Sequence, residues 1–255
     1  MFKSNTLFII GAGASAEYGL PTAGALRPQI SSCLNITNIN AQKGQTGERK
    51  ILDAFQLISR DYRDLILAGR IISSAMPDSI SIDNFIDAHS DNINIKRAGT
   101  LAIAKCILDA EYESNIFKFD DKNSGFDYAD TWIRTFFKLA SENISKNNVD
   151  TIFDKTSFIV FNYDRCITHY LKYLLINYYN ISDGHATNII NRMNILHPYG
   201  SIGSLPWQAK PDPMPFGAHG EDLTPQLLLT SSHLISTFTD SSSRSETTDR
   251  INEMV

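Results

Sequence analysis

The segment that most constrains this chain's fold lies at its start. Leu7-Phe8-Ile9-Ile10 is a short apolar run, Gly11-Ala12-Gly13-Ala14-Ser15 follows at once, and Gly19-Leu20-Pro21-Thr22 comes a few residues later. A buried strand that breaks into closely spaced glycines and then opens a helix is how an α/β fold builds a phosphate site. The glycines let backbone approach an anion with no Cβ in the way, and the helix N-terminus offers free N–H groups to it. Gly11, Gly13 and Ala16 fit G-x-G-x-x-G/A. The usual fingerprint also carries an acid about 20 residues further on, for ribose hydroxyls. Here that region reads Gln29-Ile30-Ser31-Ser32-Cys33, which argues against an ordinary dinucleotide-dependent dehydrogenase. The plain alternative is a tight strand-to-helix turn that holds no ligand.

The rest of the chain places this segment in a larger plan. Residues 7–10 read as a buried parallel strand, and Pro21 suits the first turn of a helix running to about Leu34. Residues 35–47 are rich in Asn, Gln, Thr and Gly and read as a loop. From residue 48 to about 147 the apolar spacing is helical, as in Ile51, Phe55 and Ile58 or Leu101, Ala104 and Leu108, with breaks at residues 76–78 and 120–125. Strands resume at residues 157–161 and 194–197, with a helix from 164 to about 179 between them. Residues 226–230 suggest a fourth strand, and the polar stretch 241–248 a flexible loop. The expected architecture is α/β, a Rossmann-like doubly wound parallel sheet with a mostly helical insertion. Residues 1–35 and 155–255 would form the sheet domain and residues 36–154 the inserted one.

Composition narrows the function classes. With 255 residues and a formal charge of −5, the chain is long enough for a large domain and carries no excess of basic groups. No direct nucleic-acid binding is expected. Cys33, Cys106 and Cys166 are far apart, and no C-x-x-C occurs, so no metal site is expected and a reducing cytoplasm suits them. The early strand leaves no room for a signal peptide, and no apolar run is long enough to span a bilayer, so a cytoplasmic protein with no membrane partner is expected.

In a parallel sheet, ligands bind outside the carboxyl ends of the strands. Three such ends carry polar groups: residues 11–15, Asn162-Tyr163-Asp164-Arg165, and His197-Pro198-Tyr199-Gly200-Ser201. Asn162 can hydrogen-bond a hydroxyl or a water without titrating, and His197 can act as a base near neutral pH. Asp164 can stabilise positive charge. An amide, an imidazole and a carboxylate beside a dinucleotide suit cleavage of an N-glycosidic bond through an oxocarbenium-like centre. Each has a simpler reading. Asn162 could cap the following helix, Asp164 could be a first-turn acid, and His197 could be a structural histidine. Asp83 and His89, near another helix start, read as a cap and a solvated side chain.

Taken in order, Gly11-Ala12-Gly13-Ala14-Ser15, Gly19-Leu20-Pro21, Asn162-Tyr163-Asp164 and His197…Gly200-Ser201 resemble the sirtuins. With Ser81-Ile82-Asp83-Asn84-Phe85 and residues 101–111, they are most similar to the bacterial sirtuin-like proteins of antiphage defence. The resemblance implies an enzyme that cuts NAD+ to nicotinamide and ADP-ribose and depletes the cell of it, with NAD+ as substrate. It implies catalytic roles for Asn162, His197 and Asp164. It also implies cofactor contacts from Gly11, Ala12, Gly13, Ser15, Gly19, Pro21, Thr22, Tyr163, Gly200 and Ser201. A homo-oligomer, and a possible DNA-translocating ATPase partner, are further implications.

The chain departs from deacetylating members in three places. Thr22-Ala23-Gly24 stands where they have Asp-Phe-Arg, the four-cysteine zinc module is missing, and Tyr199 rather than a histidine precedes Gly200. The family's further apolar strand and Gly-rich loop near the adenine are also missing before Val255, so a truncated piece or a reduced domain is expected. A deacylase, an ADP-ribosyltransferase or a non-catalytic NAD+ sensor are the alternatives. The Pro-rich stretch from 205 to 216, with Trp207, is a candidate lid.

Overall fold

A computed structural model describes residues 2–37, 46–117, 131–208, 210–236 and 241–254. β-Branched and aromatic residues dominate the first strand, β1 (Thr6–Ile10), and the second, β2 (Thr156–Val160). They pair in parallel from Thr6↔Thr156 to Ile10↔Val160. A third strand, β3 (Asn194–Leu196), adds to β2 in parallel, giving the order β1-β2-β3. The fold is therefore α/β with a small parallel sheet.

Each crossover is helical. Between β1 and β2 run α1 (Gly13–Ala16), α2 (Ala23–Leu34), α3 (Arg49–Ile58), α4 (Arg63–Ala75), α5 (Ile82–Ala88), α6 (Ile93–Glu113) and α7 (Trp132–Ser141). Between β2 and β3 lie α8 (Cys166–Tyr179) and α9 (Asp183–Asn191). After β3 come α10 (Pro225–His233) and α11 (Ser241–Met254). The three described strands advance without a reversal of order, so they contain no switch point of the kind a doubly wound sheet has.

Two apolar cores result. On one face of the sheet, Phe8, Ile10, Phe158 and Val160 pack with Phe136 of α7 and Tyr170 and Leu171 of α8. The rings of Phe8, Phe136 and Phe158 lie 5.2 Å apart, centre to centre, as stacked and edge-to-face pairs. The second core joins α2, α3, α4, α5 and α6 with Leu228 of α10. The two cores do not divide at residues 36 and 154: α2 packs with the helical set and α7 with the sheet.

Several expectations need correction. β1 is not buried throughout: it has β2 on one side only among the described residues, and Ile9, on the face away from the aromatic cluster, is 69% exposed. Residues 226–230 are helical, not a strand. The Thr224 hydroxyl accepts the Leu227 N–H, Pro225 takes the first helical position, and the apolar run turns Leu228 into the core. Residues 241–248 belong to α11, where Thr247, Ile251 and Met254 recur at helical spacing as half-buried positions. Pro21 precedes the N-cap Thr22 rather than sitting in the first turn. The expected break at 120–125 and most of the loop at 35–47 lie outside the described residues.

Candidate functional site

The glycine turn after β1 is held from below. Tyr18 is fully buried against Tyr170, the Trp132 indole N–H donates to the Ala14 carbonyl at 2.7 Å, and the Trp132 backbone N–H donates to the Glu17 carboxylate at 2.9 Å. Gly11 and Gly13 are exposed, and among the described residues a Cβ at either would meet nothing within 4 Å. Packing within the chain therefore does not explain these two glycines, and the space above them is open.

The end of β2 lies beside this turn. Asn162 is only 6% exposed, and its side-chain N–H donates to the Ser15 hydroxyl at 2.9 Å. Its side-chain carbonyl oxygen is buried with no partner among the described residues. A buried acceptor left without a donor costs roughly 1–3 kcal/mol, so this atom is set to receive one. The N-cap of α8 is Arg165, and the first N–H of the helix, on Cys166, is accepted by the Asp164 carboxylate at 3.1 Å. The simpler reading of Asn162 as the cap of α8 does not hold.

Asn162, Tyr163 and Asp164 line a cavity of about 440 Å³, together with Ala12, Pro21 and Tyr199. Residues of α5 complete it. Ser81 caps α5 by accepting the Asn84 N–H, which aims Asp83 and Asp87 into the cavity wall. Tyr163 donates its hydroxyl to Asp83 at 2.6 Å. Burial holds the Asp83 carboxyl above the ordinary carboxylate range, partly countered by that hydrogen bond, and pushes the Tyr163 phenol well up. Among the described residues, three carboxyl groups and no cationic side chain line this cavity. It favours a positively charged guest.

His197 stands elsewhere. Its Nδ1 is 3.0 Å from the main-chain carbonyl of Asn162, so Nδ1–H donates and Nε2 keeps its lone pair. Burial, with Lys210 assisting, pulls its pKa below the ordinary imidazole value; the Asn162 carbonyl and Asp164 oppose this. His197, Gly200 and Ser201 line a second cavity of about 330 Å³ with Thr168, Gln208 and Lys210. The strand-end groups are thus split between two cavities on either side of the Asn162 backbone.

The remaining predicted positions scatter. Gly19, with φ of +93°, borders a third cavity that Pro21 also lines, and Thr22 makes no side-chain capping bond. Gly200 has a reason of its own: with φ of +73°, a Cβ there would fall 1.9 Å from the Leu234 carbonyl oxygen. Gly200→Ala is expected to lower stability by on the order of 3 kcal/mol, whereas Gly13→Ala leaves it nearly unchanged, as chemical denaturation will read. Trp207 sits against the Lys172 ammonium, 4.5 Å from the ring centre, and the stretch around it borders the second cavity rather than covering the first.

Sequence reasoning assigned Asp83 to a helix cap and passed over Asp87. Their signal was the Ser81 cap and the acid-rich first turns behind it, but only the fold brings them to Tyr163, 80 residues away. It also passed over the ion pair under the site. Arg165 and Glu111, both buried, pair through a bidentate contact, and Glu111 accepts the backbone N–H groups of Arg165 and Gly217. Comparison with protein-family models, curated proteins and solved structures gave no match to this chain.

Proposed function

We propose that this chain is an NAD+ glycohydrolase, releasing nicotinamide and ADP-ribose, and that its sheet is part of a Rossmann-like nucleotide-binding fold. The observation that carries the reading is the buried side-chain oxygen of Asn162, without a partner among the described residues, at the wall of a largely apolar cavity whose charged side chains are all acidic, beside an open glycine turn. The residues fit the substrate. A ribose hydroxyl supplies the donor that Asn162 lacks. The pyridinium ring supplies the positive charge that Asp83, Asp87 and Asp164 favour. The diphosphate has room over Gly11 and Gly13.

In this reading the C1′–N bond breaks with its electron pair passing to the ring nitrogen, and neutral nicotinamide leaves without needing an acid. The carboxylates and Asn162 stabilise the oxocarbenium-like centre. His197 lines the second cavity and not the first, so in this reading C1′ lies between the two: water entering from the second cavity attacks it and passes its proton to Nε2 of His197. Acting on free NAD+, such an enzyme depletes its host of it, the defensive role the resemblance implies, and assembly into a homo-oligomer is a natural gate.

The test is chromatography of nicotinamide and ADP-ribose after incubation of the purified protein with NAD+. Binding without turnover would overturn the hydrolase reading in favour of a sensor. The pH profile checks the base. Because burial lowers the His197 pKa, its ring stays neutral to lower pH than a free imidazole, and the acid limb of the rate profile should lie below that of free imidazole. His197→Ala is expected to slow cleavage by ~10²–10⁴-fold and remove that acid limb. The second cavity favours one other reading, transfer of ADP-ribose to an acceptor seated beside His197. Turnover that requires an added acceptor, such as an acylated peptide, would favour it.

A further inference from the structure

We propose that Cys33 and Cys106 form a peroxide-reactive dithiol site, independent of the strand-end cavities, that closes to a disulfide joining α2 to α6. The two sulfurs lie 3.8 Å apart on helices that pack against one another. They stand in the wall of the third cavity, of about 500 Å³, between Pro28, Gln29 and Ser32 on one side and Asp109 and Glu113 on the other. Cys33 is partly exposed there and Cys106 is buried behind it. That is the arrangement of an attacking thiol with a resolving thiol at its back.

The surroundings divide the roles. The hydrogen bond shared with Cys106, with the buried Lys105 ammonium adding positive charge nearby, lets the Cys33 thiol ionise below its ordinary range although burial, Glu48 and Asp109 oppose this. Burial and the same pairing hold the Cys106 thiol well up. The thiolate is the nucleophile, so Cys33 reacts first. Asp109 and Glu113 at the cavity disfavour an anionic oxidant, which selects a small neutral hydroperoxide.

The chemistry balances. The Cys33 thiolate attacks one peroxide oxygen, the O–O bond breaks, and the departing hydroxide takes a proton to become water, leaving a sulfenic acid. The Cys106 sulfur then attacks the Cys33 sulfur, the S–O bond breaks, and the Cys106 proton leaves with the hydroxide as a second water. Two thiols are oxidised by two electrons and one peroxide is reduced. Cys166, fully buried with its thiol pushed well up, is the internal control.

The test treats the full chain with limiting hydrogen peroxide, blocks remaining thiols with an alkylating agent, and maps the peptides by mass. The expected result is a Cys33–Cys106 cross-linked peptide, reversed by dithiothreitol, formed at least tenfold faster than any change at Cys166. Cys106→Ser is expected to halt Cys33 at a sulfenic acid that dimedone traps. Oxidation of Cys33 to higher acids in the native chain without the cross-link would overturn the proposal, as would reaction no faster than at Cys166. The native chain alone decides both outcomes, whatever the variant's stability.

Discussion

Asn162→Ala is expected to cut nicotinamide release by at least about 10²–10³-fold, the loss that follows deletion of one preorganised polar group at a reacting centre. The variant should fold. Ser15, at the base of the glycine turn, loses only the N–H it accepts. The buried side-chain oxygen that lacks a donor disappears with the substitution, which removes a cost from the free protein. Stability therefore stays near that of the native chain or rises slightly, while catalysis collapses. Asn162→Asp keeps an acceptor at the same place and should lose less than the alanine variant. Nicotinamide release beside thermal midpoint for the three proteins checks this. Equal loss in both variants would show that acceptance of a hydroxyl is not the role of the side chain.

Glu111→Ala should cost about 3–5 kcal/mol, the penalty for leaving one member of a buried ion pair behind. Arg165 would keep its carbonyl partners on Met214 and Pro215 but lose its counter-charge, and the N–H groups of Arg165 and Gly217 would lose their acceptor. A domain's whole stability is roughly 5–15 kcal/mol, so a large share of it is at stake. The damage reaches the site as well, because Arg165 follows Asn162-Tyr163-Asp164 directly. The double variant Glu111→Leu with Arg165→Met should be less destabilised than the sum of the single changes, since it leaves no lone buried charge. Urea denaturation of the single and double variants reads both quantities. A Glu111→Ala loss under about 1 kcal/mol would mean that the pair is more hydrated than its burial indicates.

How much of this was legible in the sequence depends on the range of the forces involved. The strand at residues 7–10, the helix that ends at Leu34 and the strands near 157 and 194 were legible because short apolar runs and turn residues act locally. The helices described between residues 49 and 113 and at 132–141 were legible for the same reason. α10 was misread because Leu227-Leu228-Leu229 fits a strand as well as a buried helix. The deciding signal, a threonine cap followed by proline, lay just upstream. α11 has so few apolar residues that its helical stripe is visible only once Thr247, Ile251 and Met254 are seen to share a face.

The site divides in the same way. That Asn162, Tyr163 and Asp164 end a strand beside the glycine turn follows from the alternation of elements. Their meeting with Asp83, and the seating of Arg165 on Glu111, depend on how α5 and α6 fold back, which no local pattern encodes. The separation of His197 from the first cavity is likewise a property of the backbone between them. The Asn162 main-chain carbonyl holds the ring on one side while its side chain faces the other.

A crystal structure of the protein with carba-NAD+, which keeps the pyridinium charge but cannot be cleaved, tests the central claim most directly. The expected result is the nicotinamide ring among Asp83, Asp87 and Asp164, with a ribose-side hydroxyl donating to the side-chain oxygen of Asn162 and the diphosphate over Gly11 and Gly13. A nucleotide bound away from Asn162, or no nucleotide at saturating concentration with the cavity unchanged, would contradict it.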